Sequence, residues 1–169
     1  MHPINNDLRE FRKQLEKGTI QNAYKALLSY MMGLRTHFKN NDYAVSGLYQ
    51  GYMDMTYFAL FPSSLKQRNL KIAIVFNYAS FGFEVWLSGG NRRVQRQYWE
   101  LFKESQWSSY RVVPQGTWVD SILEYEVVGE FDLSEAGSLT SVIEAATVRF
   151  IDDIESYLSA HESPEAVKV

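Results

Sequence analysis

The sequence predicts a single α+β domain: an antiparallel sheet of about five to six strands, with helices packed on it. Three observations carry that prediction. The chain changes from a period of three to four residues to short β-rich runs after about residue 42, and returns to the helical period at the end. The β-rich runs are joined by connections too short for parallel crossovers. No linker or internal repeat divides the 169 residues, a length that suits one domain with a substantial core.

The elements follow in order. Asp7 and Glu10 have capping-box spacing, Leu8, Phe11 and Leu15 share a helical face, and Gly18 supplies a stop. A second helix begins after Thr19, with an apolar stripe through Leu27, Met31, Leu34 and Phe38. These two form an N-terminal helix pair. Tyr49 to Phe61 reads as an aromatic strand closed by Pro62. Leu70 to Tyr78, β-branched and nearly free of charge, reads as the central strand. It forms a hairpin with Phe81 to Ser88, in which Phe81, Phe83, Val85 and Leu87 face one way and Glu84 and Trp86 the other.

Gly89, Gly90 and Asn91 end that strand and open a middle helix over Arg92 to Glu104. Ser108 to Val113 and Ser121 to Val128 read as two further strands around the turn at Pro114 to Gly116. A long C-terminal helix buries Leu139, Val142, Ile143, Ala146, Phe150, Ile154, Tyr157 and Leu158, with Asp152, Asp153 and Glu155 toward water. The core is expected over about residues 5–160, with 161–169 as a frayed tail.

Composition narrows the function classes. Cysteine is absent, which excludes a disulfide framework, a thiolate metal site and a cysteine nucleophile, and fits a reducing compartment. With no signal-peptide pattern and no long apolar run, the expected location is the cytoplasm, away from membranes. Aromatic residues make up 15% of the chain, more than a minimal core requires, so some rings are expected at a groove or interface. The net charge of −3 is unevenly spread: residues 120–169 hold twelve acidic against two basic residues, and residues 1–119 hold eight against fifteen. Such polarity suits self-association, with a homodimer the expected closed form.

The stretch from Asn22 to Phe38, then GYMDMTYFALFPSSLKQRNLKIAIVF (51–76) and FEVWLSGGNRRVQRQYWELFKES (83–105), resembles a family of bacterial proteins known as a domain of unknown function. The likeness covers about residues 5–160 and implies an independently folding domain. It brings no activity and no site residue with it.

Candidate sites must therefore come from the residues. Asp54 stands among rings and Met on the strand expected to place Tyr52, Asp54, Thr56 and Phe58 on one face; a buried acid there needs a partner or an upward pKa shift. The plain alternative is a carboxylate bonded to a neighbouring side chain or backbone N–H. Asp54 followed by Glu84 in a hairpin has a loose likeness to the acids of a restriction-like nuclease, but the lysine position is Trp86. Arg92, Arg93 and Arg96 follow the Gly89-Gly90 turn at a helix N-terminus, where they could meet an anion or nucleic acid, or simply face water. The three histidines lack metal-ligand spacing, and no cofactor motif is present.

The leading expectation is a non-enzymatic domain binding a small molecule or peptide at an aromatic-lined concavity on the sheet. Tyr52, Asp54, Glu84 and Trp86 would contribute, with Arg92 or Arg93 at the rim. The alternatives are a metal-dependent hydrolase or degenerate nuclease using Asp54 and Glu84, and, less favoured, nucleic-acid binding through Arg92, Arg93 and Arg96.

Overall fold

The computed structural model describes residues 3–116 and 119–161. Helices α1 (Pro3–Glu16) and α2 (Thr19–Asn40) lead into strand β1 (Met55–Leu60), a short helix α3 (Ser63–Gln67), and the hairpin of β2 (Leu70–Asn77) and β3 (Gly82–Gly89). Helix α4 (Arg92–Glu104), strands β4 (Arg111–Val112) and β5 (Leu123–Val128), a 3-10 turn at Leu133–Glu135 and helix α5 (Ala136–His161) complete the order. The five strands form one antiparallel sheet in the order β1-β2-β3-β5-β4. The α+β class holds, and β3 rather than β2 lies at the centre.

The helices occupy one face. Phe58 of β1, Ile72, Ile74 and Phe76 of β2, Phe83, Val85 and Leu87 of β3 and Leu123 of β5 are sealed against α2, α4 and α5. Helix α2 supplies Leu27, Met31, Leu34 and Phe38; α4 supplies Val94, Tyr98 and Phe102. Each fully buried large apolar side chain contributes about 1.5–3 kcal/mol. Most of the aromatic excess is spent here. Phe76 lies 4.9–5.8 Å from the rings of Tyr78, Phe81, Phe83 and Phe131, and Phe102, Trp107 and Tyr157 stack at 4.9 Å.

Several boundaries differ from the sequence reading. Helix α1 starts at Pro3, a residue suited to a first helical turn, so Asp7 and Glu10 lie within the helix rather than at its cap. No side chain of α1 is buried; of the N-terminal pair, α2 alone feeds the core. The strand expected from Tyr49 begins only at Met55, because the chain reverses through Gly51–Asp54. Residues 44–50 fold back along the outer edge of β1, where Tyr49 and Tyr57 exchange N–H···O bonds of 2.8 and 2.9 Å.

Phe81 sits in the hairpin turn with φ 52°, half exposed, instead of in β3. The pairing of Arg111–Val112 with β5 is shorter than the expected Ser108–Val113 strand. On α5, Val142 is exposed, whereas Thr147 and Ile151 are buried. Asp153 accepts the Tyr110 hydroxyl at 2.6 Å and Glu155 accepts from Ser64, so neither simply faces water. Of the tail expected at 161–169, His161 is the last residue of α5, and 162–169 lie outside the described residues.

Candidate functional site

The second face of the sheet carries no helix among the described residues. Its buried cluster is Ala73, Val75 and Trp86, flanked by Met55 and Tyr57, all from strands. Strand alternation puts them there: Ala73 pairs with Trp86 on one side and with Ala59 on the other, and Tyr57 pairs with Val75. A methyl group between an indole and a phenol leaves a hollow. The resulting groove holds about 300 Å³, with Ala73 in its lining between Tyr57 and Trp86.

Polar groups gather at one end. Lys71 and Ser88 are cross-strand partners, one step along from the Ala73 and Trp86 pair, and both line the groove. Ser88 is only 4% exposed, and its hydroxyl makes no hydrogen bond among the described residues. Asn91 caps α4, its Oδ1 accepting the Val94 N–H at 3.0 Å. Gln95, also buried, accepts the Gly89 N–H at 2.8 Å. Gly89 is required by packing, since a Cβ there would stand 2.5 Å from the Gln95 backbone nitrogen, while one on Gly90 would meet the Asn69 side chain at 2.1 Å. Across the mouth, Arg92 donates to the Val119 carbonyl at 2.6 Å and meets Asp120 at 3.4 Å.

Glu84 anchors the ring beside it. The carboxylate is 5% exposed; Oε1 accepts from Asn77 Nδ2 at 3.0 Å and Ser80 Oγ at 2.7 Å, and Oε2 accepts the Trp86 indole N–H at 2.7 Å. It orients Trp86 and is not itself part of the groove lining. Tyr57 has its phenol pKa pushed up by burial and by the negative charge of Asp120.

Of the residues singled out from sequence, Glu84, Trp86 and Arg92 come together around this groove. Tyr52 and Asp54 do not line it. Tyr52 is 90% exposed in the turn before β1. Asp54 is exposed as well, and its carboxylate accepts the Tyr52 N–H at 2.8 Å. That bond and one from the Met55 N–H hold its pKa below the ordinary carboxylate value, opposite to the shift a buried acid would show. Thr56 and Phe58 are buried on the helix-covered side. Arg93 and Arg96 lie on the exposed side of α4, in a separate shallow depression that also contains Glu100. Among the described residues no group of three or more His, Asp or Glu side chains is placed to hold a metal ion.

Tyr57, Ser88 and Asp120 are among the lining residues that sequence reasoning passed over. Lys71 had a usable signal, as the one charge in an otherwise apolar strand. Tyr57 is hidden by the reversal at Gly51–Asp54, which sets β1's start.

Residues 4–158 match a protein family described as Domain of unknown function (DUF7000). The chain belongs to this family. No curated protein and no solved structure matches it. In this DUF7000 member, no described helix is long and apolar enough to cross a membrane.

Proposed function

We propose that this protein is a non-enzymatic binding domain, in a bacterial and cytoplasmic setting, that takes a small planar molecule bearing a carboxylate. The planar part lies over Ala73 between Trp86 and Tyr57, and the carboxylate meets Lys71 and Ser88. The observation that carries this reading is the cross-strand pair of Ser88 and Lys71: a hydroxyl that opens on the groove, beside a lysine, at the end of an apolar slot. Such a donor gains a charge-assisted bond when a carboxylate arrives. A volume of about 300 Å³ is at the small end of ligand sites and suits one or two fused rings. The absence of cysteine supports the reducing location.

The test is a thermal-shift and fluorescence titration with benzoate, salicylate and indole carboxylates, each beside its neutral amide. Carboxylates should raise the melting temperature and change the fluorescence of the wild type but not that of Trp86→Phe. Lys71→Met and Ser88→Ala should each weaken binding by about tenfold, or about 1.4 kcal/mol. Amides binding as tightly as acids, or no binding at millimolar concentration, would sink the proposal.

A further inference from the structure

The groove leaves α1 unexplained. Not one of its side chains is buried; Ile4, Leu8 and Phe11 are about half exposed, and Leu15 is partly covered. An apolar row on a helix that buries nothing is not there for the core of its own chain. The spacing of positions 4, 8, 11 and 15 is four-three-four, the d-a-d-a rhythm of a two-stranded coiled coil.

The charges beside that row select the occupant. In this register Asp7 takes a g position and Arg12 the e position five residues later. In a parallel pair, g on one helix faces the following e on the other, so Asp7 meets Arg12 of a second copy, twice by symmetry. An antiparallel pair would face Asp7 with Gln14 and Arg12 with Asn5, with no opposite charges matched. Asp7 has no ion pair among the described residues. Arg12 bonds Glu16 one turn away at 2.9 Å, with both groups more than half exposed, a contact weak enough to be exchanged.

We infer that α1 is a self-association helix, which pairs with α1 of a second copy in parallel through Ile4, Leu8, Phe11 and Leu15, with Asp7 and Arg12 setting the orientation. Two heptads alone bury less than the roughly 1,200–2,000 Å² of a stable standard interface. The dimer is accordingly weak, with a dissociation constant on the order of 10–100 μM.

Sedimentation equilibrium on the full chain, from about 5 to about 500 μM, tests this. The wild type should pass from monomer to dimer across that range. Leu8→Glu should weaken association at least tenfold with an unchanged circular dichroism spectrum, because α1 gives nothing to the core. Asp7→Arg and Arg12→Asp should each weaken it about fivefold by placing like charges together, and the double swap should restore it. A monomer at every concentration overturns the inference, as does a dimer indifferent to Leu8→Glu. A double swap without recovery overturns the parallel pairing.

Discussion

Replacing Glu84 with Gln changes almost no volume, so it isolates the role of the carboxylate. Its two oxygens accept three hydrogen bonds, from Asn77, Ser80 and Trp86, in a site only 5% exposed. A glutamine offers one carbonyl oxygen and one NH₂ group. If the oxygen faces Asn77 and Ser80, the NH₂ meets the indole N–H and leaves a buried donor unpaired, at about 1–3 kcal/mol. The two surviving bonds also lose their charge assistance, about 1 kcal/mol each. Relief from holding a charge out of water offsets part of this. The net loss is about 2–3 kcal/mol, which for a domain of this size lowers the melting temperature by about 4–12 °C. Urea unfolding of Glu84→Gln, Trp86→Phe and the double variant gives the assay, since the cycle isolates the coupling between the two residues. Glu84→Gln within about 0.5 kcal/mol of wild type, or additive single effects, would refute the reasoning.

Two other perturbations follow from local geometry. Gly51 has φ 71°, and a Cβ there would stand 2.0 Å from the Met55 carbonyl oxygen, so Gly51→Ala should cost about 2 kcal/mol or more in chemical denaturation. A neutral result would mean that the turn before β1 has another shape. Tyr110 has its phenol pKa raised by burial first and then by its hydrogen bond to Asp153. The unfolded state therefore releases this proton near pH 10 while the folded state keeps it, so the stabilisation present below that pH is lost as pH rises above it. Relative to Tyr110→Phe, wild-type stability should fall by up to about 1.4 kcal/mol per pH unit above pH 10, less in proportion to solvent screening of this half-buried site. Parallel stability curves for the two proteins would remove the Asp153 contact from the account.

Where the residues themselves decide the outcome, the fold was legible. The α4 boundaries were readable because Asn91 is a strong N-cap after two glycines, and the alternation in β3 correctly opposed Glu84 and Trp86 to the core residues. The turn at Gly51–Asp54 was not readable. Aromatic and Met residues there look like strand, and nothing local says that Tyr49 pairs with Tyr57 instead of extending toward it. That one reversal moved Tyr52 and Asp54 off the sheet face and changed which residues could share a site. Asp54 illustrates the difficulty: an acid among rings invites a burial argument, yet its oxygens serve the backbone of an exposed turn. The pairing of Lys71 with Ser88 escaped notice for another reason. Their significance lies in being opposite one another across two strands, and sequence shows each strand alone.

The chain that folds back along β1 has a further consequence. Among the described residues one face of the sheet, bearing Tyr57 and Trp86, is uncovered, which raises the question of strand recruitment from neighbouring molecules. Growth of that kind starts at edges rather than faces. Residues 44–50 already occupy the hydrogen-bonding positions of Val45 against Leu60 and Tyr49 against Tyr57 on one margin. On the other margin the terminal strand has only two paired residues, one of them Arg111. Both margins are thus poor templates for strand addition, one partly occupied by the chain's own backbone and the other short and charged.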